Sequence, residues 1–195
     1  MTQQPPQPPP HLPRLLGYTQ LVMQQTSAFL SNDFAITDLA GNRIGGVATG
    51  GDMGSRLFLG SRSLQVMDAD GSPVVRVEDP VDIGRDRYEL FDPQGVSVAR
   101  LMKRLAFMST RVDVSVADGT QLSLEGTPFT FEFTFVAANG ESVAQVTRHW
   151  AGLDRAILGH SRYVVDIRPD APAVVRAAII GSCVALDLIR RKRSN

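Results

Sequence analysis

The chain is poor in the residues that catalysis and metal binding usually draw on: 195 residues hold one cysteine, one tryptophan, three histidines and two lysines. A lone thiol, Cys183, cannot close an internal disulfide and fits a reducing compartment. The histidines stand far apart at His11, His149 and His160, with no HExxH, no Cys–His zinc spacing and no GxSxG nucleophile motif. His149, next to Trp150, reads as a structural residue at a strand end rather than a general base. The glycine-rich stretch from Gly45-Gly46 through Gly50-Gly51 to Gly54 lacks the GK[ST] of a phosphate loop and reads as a mobile loop. The expectation is a non-enzymatic protein without a cofactor. Charge excess of either sign is also absent: the formal net charge is zero, so no global field recruits nucleic acid, and none is expected as a partner. Eighteen of the 20 basic residues are arginine, which reflects codon bias more than chemistry. No basic n-region followed by an apolar h-region opens the sequence, so a cytoplasmic protein is expected.

A long apolar run is nearly absent too, with one exception near the end. Ala173 to Ile189 reads AVVRAAIIGSCVALDLI, and its apolar residues point all round a helical wheel. Asp170 is placed to cap this helix and Pro172 to sit in its first turn. A bilayer core of about 30 Å needs about 20 apolar residues, and this run is interrupted by Arg176 and Asp187, so a helix buried in protein is favoured over a membrane-inserted one.

Residues 1–14 carry six of the 12 prolines and no aromatic residue, which predicts a disordered, extended tail. Its Pro5-x-x-Pro8 and Pro6-x-x-Pro9 steps could dock a protein partner as a polyproline helix, or serve only as a spacer. The domain is expected over 15–190, followed by a basic tail at 191–195.

Within the domain a pattern repeats. Phe34, Ile36, Asp38, Gly41, Ile44 and Val47 recur at the same offsets as Leu64, Val66, Asp68, Gly71, Val74 and Val77, and again as Tyr88, Leu90, Asp92, Gly95, Val98 and Leu101. A fourth copy, with alanine in the aspartate place, is Phe133, Phe135, Ala137, Gly140, Val143 and Val146. Each copy predicts a hairpin: a period-2 strand, an Asp-x-x-Gly turn, and a second strand. The repeated aspartates are therefore turn residues rather than metal ligands. With a weaker hairpin over Val112 to Leu124, a run at Leu21 to Met23 and another at Tyr163 to Ile167, the count reaches about 12 strands.

A closed antiparallel barrel of that many strands has an interior too wide for strand side chains alone. The apolar helix fills it, with Phe131, Phe133, Phe135, Val143 and Val146 expected to meet Ile179, Ile180, Val184 and Leu186. The predicted fold is mainly β, a barrel of about 12 strands around a central hydrophobic C-terminal helix.

The string Val146-Thr-Arg148-His149-Trp150-Ala-Gly152-Leu-Asp-Arg155, the strand Tyr163 to Ile167, and Ala178-Ile-Ile180-Gly181-Ser-Cys183-Val-Ala-Leu186-Asp187 together resemble the phospholipid scramblase family and its LURP-one-related kin, within the Tubby-like superfamily. The resemblance is dense over 145–190 and pattern-like over 20–144. It implies a 12-stranded barrel around a buried C-terminal helix, in agreement with the reading from the residues. It also implies calcium, but where scramblases carry an acidic stretch this chain has Gly159-His160-Ser161-Arg162-Tyr163. Only Asp166 and Asp170 remain as weak calcium candidates, too few for an ion that takes six to eight oxygens. The palmitoylated cysteine cluster of those relatives is missing as well.

Two basic groups carry the functional expectation. Arg100, Lys103 and Arg104 follow one hairpin, and Arg190, Arg191, Lys192 and Arg193 follow the helix. The second group complements the helix dipole, and both would be drawn to an anionic leaflet. The leading expectation is a scramblase-family protein that binds an anionic phospholipid membrane surface peripherally, at the inner face, with phospholipid scrambling implied by resemblance alone. The alternatives are a soluble cytoplasmic LURP-one-related interaction or small-ligand-binding protein without a membrane role, and a single-pass protein anchored by Ala173 to Ile189.

Overall fold

The computed structural model describes residues 12–25, 34–49, 62–79, 87–105, 110–127, 132–148 and 162–194. A 3₁₀ turn, Arg14–Gly17, precedes 12 strands: β1 Gln20–Gln25, β2 Phe34–Thr37, β3 Arg43–Thr49, β4 Arg62–Asp68, β5 Pro73–Asp79, β6 Arg87–Phe91, β7 Ser97–Leu105, β8 Thr110–Val116, β9 Gln121–Thr127, β10 Glu132–Ala137, β11 Ser142–Thr147 and β12 Arg162–Ile167. The helix α1, Ala173–Ser194, comes last. Neighbours in sequence pair antiparallel from β2 through to β12, and β1 closes the barrel by pairing with both β2 and β12.

The repeat is the hairpin chemistry made visible. Gly41, Gly71, Gly95 and Gly140 all take φ between 82° and 88°, a left-handed conformation that costs an L-residue with a Cβ roughly 1–2 kcal/mol. In each copy the glycine N–H bonds back to the residue three before it, and the pairing register slips by one just before the turn. Such a bulge increases strand twist and bends the sheet toward closure. Asp38 Oδ1 accepts the Asn42 N–H at 2.8 Å, and Asp92 Oδ1 accepts those of Gln94 and Val96 at 2.9 and 2.8 Å.

Asp68 departs from its siblings. It is buried, its Oδ1 takes the Ala69 N–H, and its Oδ2 accepts the Leu15 N–H at 3.3 Å. This bond ties the 3₁₀ turn to the barrel, and Leu15 and Leu16 are buried beneath it. Arg14 thus opens a folded element rather than ending a tail, because Leu15 and Leu16 bury their side chains in the core. Residues 1–11 lie outside the described residues. Leu15 has space because Gly45 faces it: a Cβ at Gly45 would stand 2.6 Å from the Met67 carbonyl oxygen and 3.3 Å from the Leu15 methyls. Gly45 and Gly46 therefore belong to β3 and correct the expectation of a loop there, whose remainder lies outside the described residues.

Val175 and Ala177 to Leu186 of α1 are all buried in one continuous core with the inward strand residues. Each fully buried Ile, Val or Leu contributes roughly 1.5–3 kcal/mol. The helix backbone runs closest to β5–β8 and the 3₁₀ turn rather than to β10 and β11. Small residues set this lean, since a Cβ at Gly181 would meet Leu90 at 2.9 Å and Val75 at 3.2 Å. On the other side Phe133 and Phe135, in edge-to-face contact at 5.5 Å, are buried with Val146 in that same core, and Val143 packs against it. Phe131 lies outside the described residues. Among those described, no helix is long and apolar enough to cross a membrane.

Both ends of α1 differ from expectation. Asp170 is engaged by Arg168, whose Nε donates to it at 2.9 Å, and Pro172 stands just before the helix, its carbonyl accepting the first bond from the Arg176 N–H at 3.0 Å. At the other end the helix continues through Arg190 to Arg193, so these residues form its last turns instead of a separate tail.

Candidate functional site

Strand alternation gives the barrel two unlike mouths. The turns β2–β3, β4–β5, β6–β7, β8–β9 and β10–β11, together with the entry to α1, all fall at one mouth, here the turn end. At the opposite mouth, the loop end, the strand ends lead into segments outside the described residues, and α1 runs toward it.

The turn end is held by one guanidinium. Arg176 is buried, and its Nε donates to the Ala171 carbonyl (2.9 Å), Nη1 to Leu16 (3.1 Å) and Nη2 to Pro169 (2.5 Å). The 3₁₀ turn, distant in sequence, and the linker between β12 and α1 are thus both pinned to the first turn of α1. Beside this clip opens a groove of about 1000 Å³. Leu16, Val74, Val98, Ala173, Val174 and Ala177 give it an apolar floor, and Asp68, Asp70 and Asp92 stand around it with Arg14. The Ser72 hydroxyl, hydrogen-bonded to Asp70, holds that carboxyl below its ordinary range.

The loop end is basic. Arg62 opens β4, Arg87 opens β6, Arg162 opens β12, Arg104 and Arg111 are backbone register partners in β7 and β8, and Arg148 follows β11. The last turns of α1 add Arg190, Arg191, Lys192 and Arg193, whose side chains, like those of Arg62, Arg104 and Arg111, lie outside the described residues. The loop end also carries Glu78, Asp79 and Glu132, and the turn end Arg14, Arg43, Arg168 and Arg176, so the polarity is a net excess of cations at one mouth and of carboxylates at the other among the described residues, invisible in a net charge of zero.

The two expected basic groups fare differently. Arg100, Lys103 and Arg104 lie within β7 and do not form one patch, because strand side chains alternate faces. Arg100 is exposed on the outside, 3.4 Å from the Glu89 carboxylate that also pairs with Arg87, and lines a depression of about 280 Å³ with Asp113, Ser115 and Gln121. Lys103, two residues after the inward-facing Leu101 and paired across to the buried Val112, is half-buried near the loop end. Of the calcium candidates, Asp166 stands near the end of β12 opposite Gln20 and Gln145, while Asp170 is bound to Arg168. Among the described residues no three His, Cys, Asp or Glu side chains gather in a way that could hold a metal ion. His11, His149, Trp150 and His160 lie outside the described residues.

Sequence reasoning missed Arg176 as a clip, Asp68 as an anchor and the groove. A signal existed for the first: an arginine inside an otherwise apolar helix turn must find acceptors.

A closed 12-stranded antiparallel barrel wound around its own C-terminal helix defines the Tubby-like class of folds. The LURP-one-related family pattern matches residues 19–187, and the chain belongs to that family. Its fold is shared by the crystal structure of an Arabidopsis thaliana protein, 20% identical, with a TM-score of 0.59 over 91% of this chain and 95% of that one. No curated protein matches the chain.

Proposed function

We propose that this LURP-one-related barrel is a non-enzymatic protein that attaches peripherally to anionic phospholipid surfaces through its loop end. The observation that supports this reading is the convergence of Arg62, Arg104, Arg111, Arg148 and the cationic last turns of α1 on one mouth, with the Asp-bearing turns at the other. A dipole of this kind orients the molecule: the basic mouth is drawn to an anionic leaflet and the acidic one is turned away. Each basic residue near such a surface contributes about 1 kcal/mol, so the four at the helix end alone supply about 4 kcal/mol at low salt. Lipid transfer between leaflets, which the scramblase resemblance implies, would need the barrel to open around its filled core. We therefore confine the reading to surface binding.

The test is flotation of the detergent-free protein with vesicles of phosphatidylcholine alone or with added phosphatidylserine, at low and high salt. Binding to the anionic vesicles only, lost at high salt and weakened roughly 100-fold or more when Arg190, Arg191, Lys192 and Arg193 become Gln, is the expected result. Equal flotation with neutral vesicles, or no effect of the Gln variant, would refute it.

A further inference from the structure

We propose that the groove at the turn end is a docking site for a short basic peptide segment of a partner protein, which lays apolar side chains on α1 and pairs its arginines or lysines with Asp70 and Asp92. The inference does not rest on the membrane reading, since it concerns the opposite mouth. The groove, about 1000 Å³, is at the upper end of the roughly 300–1000 Å³ range of ligand pockets and suits several residues of an extended chain. Its apolar surface is the half-exposed Ala173 and Val174 of the first turn of α1 with Leu12, Pro73 and Pro93, backed by the buried Val74 and Val98, and an apolar side chain would desolvate it. Three carboxylates and one guanidinium line it, so its field selects a cationic occupant and repels an anionic leaflet.

The carboxylates are positioned for this. The turn hydrogen bonds of Asp70 and Asp92 fall on Oδ1, from Ser72 in one case and from Gln94 and Val96 in the other. No hydrogen bond to either Oδ2 is found among the described residues; Asp70 is exposed and Asp92 half-exposed, and Arg14 acts on the Asp70 carboxylate from the same rim. The tight turns hold both side chains in place before binding, which lowers the ordering cost of association.

The probe is a capped hexapeptide of alternating arginine and leucine, titrated into the full ¹⁵N-labelled chain, with the glutamate–leucine counterpart as control. Amide shifts confined to Ser72, Gln94, Ala173, Val174 and Ala177, and an affinity about fivefold weaker in the Asp70→Asn, Asp92→Asn double variant, are expected. Asparagine keeps the Oδ1 acceptor, so the turns persist and an unchanged spectrum checks the fold. Equal binding of the glutamate peptide, shifts mapping elsewhere, or full affinity in the double variant would overturn the proposal. So would groove shifts produced by concentrating the protein alone, which would make a second copy the occupant. Groove shifts on deleting residues 1–11, without peptide, would assign the groove to the chain's own tail and overturn it equally.

Discussion

Replacing Arg176 by methionine keeps an unbranched apolar stem and removes the guanidinium, so it isolates the three bonds to Leu16, Ala171 and Pro169. Hydrogen bonds to a charged donor contribute roughly 1.5–3 kcal/mol each, which sets an upper limit of several kcal/mol. Two effects work against the full sum. The variant no longer desolvates a cation, and it relieves a cation held near a helix N-terminus, worth about 0.3–1 kcal/mol. The carbonyls left behind are partly shielded, so water can replace only some of the lost bonds. The expected net loss is about 3 kcal/mol, or roughly 6–12 °C in Tm for a domain of this size. Urea titration with thermal melting at one pH measures both, and Arg176→Lys, which can reach fewer of the acceptors, should lose about half as much. A methionine variant within about 0.5 kcal/mol of the parent would show that the clip contributes nothing net and that apolar packing alone pins the 3₁₀ turn.

Ile180, 1% exposed at the centre of the barrel, should tolerate valine at a cost of about 1 kcal/mol, whereas Ile180→Asp should abolish the folded state; a soluble, cooperatively melting Asp variant would contradict the buried-helix core. Asp170 is held below its ordinary carboxylate range by its hydrogen bonds with Arg168, and Glu141 by those with Asn139 and then Arg168. Their contribution is present above the unfolded carboxylate pKa and is lost as pH falls through the depressed folded values. Tm should therefore drop below about pH 4, less steeply in Asp170→Asn, and a Tm flat from pH 5 to 2 would contradict this. Burial pushes the Cys183 thiol well above its usual range, so a thiol-specific reagent should label it only as fast as the domain opens. Labelling at the rate of a free thiol in native buffer would be inconsistent with the packing.

The hairpins were legible because Asp-x-x-Gly names both the turn and its conformation, and because inward residues at fixed offsets mark one face of each strand. The central helix was legible because a wheel with no polar side has to be surrounded. What escaped was set by close approach rather than by pattern. Gly45 looks like loop punctuation until the Met67 carbonyl and Leu15 are seen against it, and Gly181 gives no hint of which strands it lets the helix approach. Leu15-Leu16 is too short a run to announce a plug behind a proline-rich segment. Strand β1 hid its alternation because Val22 is buried along with Leu21 and Met23. The basic group in β7 was read by proximity in sequence, and the period of two then sent Arg100 and Lys103 to opposite faces.

The core helix follows all 12 strands of the barrel, and β1, the first of them, waits for β12 before it can close the sheet. During synthesis, therefore, a nearly complete sheet emerges with an apolar interior and two unpaired edges, and nothing of this domain fills or seals it until β12 and α1 have been made. Local hairpins can form early from their turn signals, but closure depends on contacts almost a full chain length apart, which are slow to find. Chains cut before β12 or before α1 should then yield sticky, unfilled sheets that chaperones must hold, instead of smaller functional domains.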